Sequence, residues 1–162
     1  MRQMLFAMIA VPFFASTALA AHSHDPLSDA ANAAYLAHNA RQHGVVSVPG
    51  IQYEVLKHGT GAQPLAHDCV TVNYKGMLID GKVFDATKPG KPATFPAAEL
   101  IPGWVEALQM MHEGDKWRLV IPSGLAYGRA GAGQGLIPPN QTLVFEIELL
   151  KVSPPSPAGC GS

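Results

Sequence analysis

Ile121-Pro122-Ser123-Gly124-Leu125-Ala126-Tyr127-Gly128, then Ile137-Pro138-Pro139-Asn140 and Thr142-Leu143-Val144-Phe145-Glu146-Ile147-Glu148-Leu149, form the stretch that decides the fold. It starts where one alternating segment ends and finishes as another. Trp117, Leu119 and Ile121 alternate with Lys116, Arg118 and Val120, while Leu143, Phe145, Ile147 and Leu149 alternate with the polar Glu146 and Glu148. A period of two marks a strand with one dry and one wet face, and such strands belong in antiparallel sheets. The Gly-rich flap between them carries Tyr127 and Phe145 at its two ends, as an apolar cleft for a small hydrophobic ligand needs.

The same alternation recurs upstream. Ile51, Tyr53 and Val55 alternate with Gln52 and Glu54, and Val70, Val72 and Tyr74 with Thr71, Asn73 and Lys75. Short strand pieces around residues 82–84 and 93–95 flank Gly-Lys and Lys-Pro-Gly-Lys-Pro turns. After Pro102-Gly103, Trp104 to Met111 reads as one short helix ending near Gly114. Many strands and one helix give an α+β class, and the physical solution is a curved antiparallel β-sheet, a half-barrel, wrapped around that helix with Trp104 in the middle.

Asp25-Pro26 opens an Ala-rich stretch that runs to His43 and stops at Gly44, framing an N-terminal helical extension over residues 21–49. Most apolar positions of the helix are alanines, with Tyr35 and Leu36 among its few large ones, so weak docking is expected. Residues 50–152 form the expected principal domain. Residues 153–162, with three prolines and no large apolar residue, are expected to be a disordered tail.

Arg2 precedes an apolar stretch from Met4 to Phe14, followed by Ala18-Leu19-Ala20. A charged start, a short apolar run and an Ala-x-Ala site read as a signal peptide over residues 1–20, cleaved after Ala20. A bilayer span needs about 20 apolar residues, so no membrane anchor is expected there. The product is expected in an exported space, the periplasm in a Gram-negative cell. The 11 basic and 12 acidic residues give no electrostatic case for nucleic acid or a lipid surface. Cys69 and Cys160 fit an oxidising compartment; one bridge between them, or a buried thiol plus a tail thiol free to pair elsewhere, are both open.

Tyr74, Phe84-Asp85, Phe95, Leu100-Ile101-Pro102-Gly103-Trp104 and the stretch quoted above occur in the order found in FKBP-type peptidyl-prolyl cis-trans isomerases, which the chain resembles over residues 50–152. The resemblance implies catalysis of X-Pro bond rotation without a covalent intermediate or cofactor. It implies a cleft with Trp104 as floor and Tyr74, Phe84, Phe95 and Phe145 as walls, with Leu100 and Ile101 at the mouth. It further implies that the Ile101 backbone N–H meets a ligand carbonyl. In the same way Tyr127 donates to the carbonyl before proline, and Asp85 is the cleft's one carboxylate, oriented by neighbours such as Tyr74. Phe84 and Phe145 join Tyr127 and Asp85 as implied catalytic residues. Proline-containing protein clients and macrolides such as rapamycin or tacrolimus are the implied partners. The segment from Tyr35 to Gly61 resembles the join between helix and catalytic domain in the macrophage infectivity potentiator group. Their long dimerisation helices are absent here, and a monomer or weak dimer is expected. The Gly/Ala-rich segment at residues 129–135 is expected to be a mobile rim loop.

Each of these residues has a plainer reading. Trp104, Phe95, Phe145 and Tyr74 sit where core aromatics sit, Tyr127 could satisfy a turn carbonyl, and Asp85 could cap a turn. A non-catalytic prolyl-peptide-binding or chaperone module is the competing function. A metal-handling role through His22 and His24, near the start of the processed chain, is a further competitor. The other histidines lack ligand spacing, so no metal site is expected.

Overall fold

The computed structural model describes residues 25–156, 159 and 160. The signal-peptide segment and His22 and His24 lie outside the described residues. Seven strands, β1 (Val45–Ser47), β2 (Gln52–Lys57), β3 (Cys69–Leu78), β4 (Val83–Ala86), β5 (Ala93–Pro96), β6 (Lys116–Ile121) and β7 (Leu143–Ser153), form one sheet. Two α-helices accompany it, α1 (Asp29–Asn39) and α2 (Pro102–Leu108). The sheet order is β1-β2-β6-β7-β3-β4, with β5 also paired to β3, and every pairing is antiparallel. The α+β class, with a curved antiparallel sheet against one short helix, is thus as the alternation predicts.

The period-two pattern sets which face is dry. Val70, Val72 and Leu78 of β3, Trp117, Leu119 and Ile121 of β6, and Leu143, Phe145, Ile147 and Leu149 of β7 all enter the core. Against them α2 presents Trp104, Ala107 and Leu108, with Met111 one turn further, at the i, i+3, i+4 and i+7 spacing of one helix face. Gly103 lets the helix start come close, because a Cβ there would lie 2.5 Å from Cγ2 of Ile121. Helix α2 is shorter than the expected Trp104–Met111 span. Beyond Leu108 the amides of Met110 and Met111 turn back onto Ala107 and Leu108 carbonyls, and Gly114 takes φ +97° to redirect the chain into β6.

The buried Asp115 locks this corner to the loop after β2, accepting from the Gly59 amide at 2.5 Å and the His112 amide at 2.6 Å. A Cβ at Gly59 would stand 2.4 Å from the Glu113 carbonyl oxygen, so only glycine permits the approach.

The opposite sheet face is not uniformly wet. Val120 and Val144, cross-strand partners on that face, are both buried. Helix α1 lies over this region and is pinned by side-chain amides. Asn39 donates to Gln52 Oε1 at 2.8 Å, Gln52 donates to the Leu36 carbonyl at 3.1 Å, and Arg118 donates to Asn39 Oδ1 at 2.8 Å and to the Tyr35 hydroxyl at 2.6 Å. At the other end Asn32 accepts from the Thr142 amide at 2.7 Å and donates to Gln141 Oε1 at 3.2 Å. The expectation of weak docking considered only apolar bulk, and polar contacts supply the attachment.

The bounds of α1 also differ from the expectation. Ser28, not Asp25, is the N-cap, accepting from the Ala31 amide at 3.2 Å, while Asp25 accepts from the Leu27 amide in a preceding turn. At the other end Arg41 and Gln42 bond three residues back, to His38 and Asn39, which tightens and ends the helix before His43.

The tail reverses after β7: Ser156 donates its hydroxyl to the Gly159 carbonyl at 2.7 Å, and Cys160 forms a disulfide with Cys69 at the start of β3, with Cα atoms 5.5 Å apart. Of the two cysteine states open from the sequence, the bridge is the one formed, and it holds Cys160 to the sheet. A cross-link closing a loop of this length removes unfolded-chain entropy. Cys160→Ser is therefore expected to lower unfolding free energy by about 2–4 kcal/mol in urea titration. Reductant should produce the same loss in the parent chain and none in the variant.

Candidate active site

One cleft of about 180 Å³ opens where α2 meets the end of the sheet, and its lining is Tyr74, Phe84, Asp85, Phe95, Leu100, Ile101, Trp104, Tyr127 and Phe145. These are the nine residues singled out from the sequence, brought together from widely separated segments. β3 supplies Tyr74, β4 supplies Phe84 and Asp85, β5 supplies Phe95 and β7 supplies Phe145. A 3₁₀ turn over Ala97–Glu99 delivers Leu100 and Ile101 to the start of α2, which carries Trp104. Tyr127 follows the 3₁₀ turn Ser123–Leu125 at the end of β6.

The aromatic rings meet edge to face. Trp104 lies 5.3 Å from Tyr74 at 86° and 5.3 Å from Phe145 at 88°, and Phe84 stands 5.7 Å from Phe145 at 87°. Phe95 closes the set at 6.2 Å from Tyr74. This geometry places ring edges against electron-rich faces and fixes each ring by its neighbours. Trp104 and Phe145 are each only 4% exposed, so the floor is anchored in the core while the mouth stays open. The indole N–H of Trp104 is buried without a hydrogen-bond partner among the described residues.

Polarity is confined to the rim. The Tyr74 hydroxyl donates to Asp85 Oδ2 at 2.6 Å. Burial raises the pKa of Tyr74 well above the ordinary phenol range, and the bond to Asp85 and its charge push the same way. Tyr127 is raised as well, first by burial and then by the Asp85 charge. Both phenols therefore remain donors. The cleft lining contains no nucleophilic thiol, histidine or lysine. Among the described residues no group of three His, Cys, Asp or Glu side chains could hold a metal ion.

Two positions that shape the cleft escape a sequence reading focused on aromatic side chains. A Cβ at Gly76 would lie 2.6 Å from Cζ of Phe84 and 2.8 Å from Cε1 of Phe145, so this strand glycine makes the space those rings occupy. An isolated glycine inside a strand pattern is the available signal for such a close approach. Thr87 grips Tyr74 from both sides, its hydroxyl accepting from the Tyr74 amide at 3.1 Å and donating to the Tyr74 carbonyl at 3.3 Å.

The Gly/Ala-rich rim loop, expected to be mobile, is closed by its own hydrogen bonds. Ala132 and Ile137 exchange backbone bonds at 3.0 and 3.1 Å, and the Gly131 amide donates to the Tyr127 carbonyl at 3.2 Å. Gly131 has φ +64°, and a Cβ there would sit 2.3 Å from the Ile137 carbonyl oxygen, so the tight closure requires glycine.

Known proteins are similar to this chain in sequence and fold. Residues 61–150 match the family described as FKBP-type peptidyl-prolyl cis-trans isomerase. The outer membrane protein MIP of Legionella longbeachae is 51% identical over 121 residues, covering 74% of this chain and 52% of its own length. The FKBP-type 22 kDa peptidyl-prolyl cis-trans isomerase of Escherichia coli is 52% identical over 120 residues, covering 73% of this chain and 58% of its own. The chain thus spans about half the length of the curated relatives it matches. Among solved structures, FkpA from Escherichia coli superposes with a TM-score of 0.74 at 46% identity, over 78% of this chain and 59% of that one. A peptidyl-prolyl cis-trans isomerase from Pseudomonas syringae superposes with a TM-score of 0.72 at 46% identity, over 76% and 92%. With sheet, helix, cleft and sequence in agreement, this chain belongs to the FKBP-type peptidyl-prolyl cis-trans isomerase family.

Proposed function

We propose that the chain is an exported peptidyl-prolyl cis-trans isomerase that accelerates rotation of X-Pro bonds in other exported proteins. The observation that carries this reading is the convergence of nine side chains, mostly aromatic or aliphatic, on one small open cleft whose only carboxylate is Asp85. Uncatalysed rotation faces a barrier of about 18–20 kcal/mol because the planar amide has partial double-bond character. At the transition state the amide is twisted and less polar, so a cleft that excludes water favours it over the hydrated planar form.

Each side chain then has a role. Trp104, Phe145, Phe84, Phe95 and Tyr74 take the pyrrolidine ring, while Leu100 and Ile101 cover it from the mouth. Tyr127 donates to the carbonyl of the residue before proline. Asp85, held by Tyr74, sets the polarity at the rotating bond without transferring a proton. Residues 50–152 form the isomerase unit, and residues 1–20 serve as a cleaved export signal. The Cys69–Cys160 disulfide supports export, since such bridges persist in oxidising compartments. No helix among the described residues is long and apolar enough to cross a membrane. Proline-containing clients are the natural partners in this reading, and macrolides such as rapamycin would compete for the same walls.

The test is the cis-to-trans rate of a proline-containing tetrapeptide. The full chain should accelerate it. Tyr127→Phe should lower turnover about fivefold, the value of one hydrogen bond, while peptide binding is retained. Asp85→Ala should also reduce the rate. A folded parent chain with no acceleration overturns the enzyme reading and leaves a peptide-binding or chaperone cleft.

The phenols add a pH prediction. Because both folded-state pKa values are raised, Tyr74 and Tyr127 contribute no loss of turnover between pH 7 and about 9.5, below the ordinary phenol value of about 10. Above it the unfolded chain releases phenol protons that the folded chain retains, so their stabilising contribution falls as pH rises. Urea midpoints compared at pH 9 and 11 should show this decline, and Tyr74→Phe should make it shallower.

A further inference from the structure

We infer that Asn32, on the N-terminal helix and the sheet face opposite the cleft, is a positioning residue for the flap that carries Tyr127. The inference rests on the functional reading above and extends it to a residue that does not touch the cleft. Asn32 is 4% exposed although it is polar and sits on a helix whose large apolar side chains are few. Its carboxamide is fully engaged. The oxygen accepts from the Thr142 amide at 2.7 Å, and the two hydrogens of the nitrogen are shared among Gln141 Oε1 at 3.2 Å and the Leu27 and Ser28 carbonyls at 3.1 and 3.0 Å.

From there the bonds lead to the flap in two steps. Gln141, also 4% exposed, donates to the carbonyls of Leu27 and Pro139, both at 2.9 Å. That fixes the Pro138-Pro139-Asn140 return of the flap. Asn140, held at φ +61°, then donates its amide to the Gly128 carbonyl at 2.8 Å, beside Tyr127 in the chain. Asparagine tolerates positive φ better than other non-glycine residues. The Asn32–Gln141 pair holds the chain on both sides of it, through the Pro139 carbonyl and the Thr142 amide. A buried amide that loses its partner leaves donors and acceptors unsatisfied, so the flap base cannot shift without cost.

The structure contains its own control. Asn39, seven residues later on the same helix face, also pins α1, but to Gln52 and Arg118, away from the flap. Both asparagines hold the helix, whereas only Asn32 reaches the flap return.

The experiment compares Asn32→Ala with Asn39→Ala in the full chain, by residue-resolved amide hydrogen exchange and by tetrapeptide kinetics. Asn32→Ala should speed exchange of the Asn140 and Gly131 amides about tenfold, the signature of a locally loosened segment. It should lower kcat about three- to tenfold with KM unchanged, as misplacing one donor to the rotating amide would. Asn39→Ala should lower the urea midpoint while leaving both readouts as in the parent. Asn32→Ser, which keeps a small polar group able to donate and accept, should fall between parent and Asn32→Ala, and it carries the same comparison if the alanine variant does not fold. The inference is overturned if flap exchange is unchanged in the Asn32 variants, or if both alanine variants move it equally. If the parent chain turns over no peptide, the enzyme reading fails, and the exchange comparison alone decides whether Asn32 positions the flap.

Discussion

The row Phe145–Gly76–Asp85 across β7, β3 and β4 is the constraint on which the site depends. Gly76 is the direct neighbour of Phe145 on one side and of Asp85 on the other. Having no side chain, it leaves a gap in the dry face of the sheet, and the rings of Phe84 and Phe145 fill it edge to face. Phe145 can then lie against Trp104, and Trp104 against Tyr74. The cleft is therefore a place where the core comes to the surface, with its rigidity supplied by packing that continues into the buried cluster. A ring held by its neighbours loses little entropy when a ligand arrives, which is how an apolar site achieves preorganisation.

In the function proposed above, that arrangement separates two tasks that otherwise conflict. Walls able to desolvate an amide must be apolar, yet orienting the twisted amide needs at least one donor. The structure keeps the donors at the rim, on Tyr74 and Tyr127, and lets burial together with Asp85 keep the phenols protonated. A carboxylate deep among the rings would carry a large desolvation cost. Asp85 avoids it by staying exposed at the mouth while its orientation is set by the Tyr74 hydroxyl.

Much of this was legible in the sequence because it is written in apolar periodicity and in an ordered set of aromatic residues. The alternation in β2, β3, β6 and β7 follows from one face being buried, whereas the nine cleft residues stand out through the resemblance of their ordered set to the FKBP-type family, since spacing alone reads most of them as core. What was not legible depends on groups that pattern reading treats as neutral. The attachment of α1 uses Asn32, Asn39, Gln52 and Arg118, whose pairing becomes visible only when the helix meets the sheet. The three-residue β1 is too short to show a period. The attachment of Cys160 comes from one covalent bond whose partner, Cys69, lies far away in sequence. The role of Gly76 is defined by an absent side chain.

The two faces of the sheet are consequently not independent. Along β7 and its approach, Thr142 and Val144 face α1 while Leu143 and Phe145 face the core, because successive residues of a strand point to opposite sides. The backbone that places Phe145 in the cleft wall is thus the same backbone whose start is bonded to Asn32. Packed interiors have low compressibility and transmit displacement rather than absorb it. A helix docked by polar side chains can therefore be orientation-specific where an apolar face of alanines could slide, since hydrogen bonds demand direction and dispersion contacts do not. The thin apolar face of α1 is compatible with a well-defined position because its asparagines, rather than its alanines, fix the register.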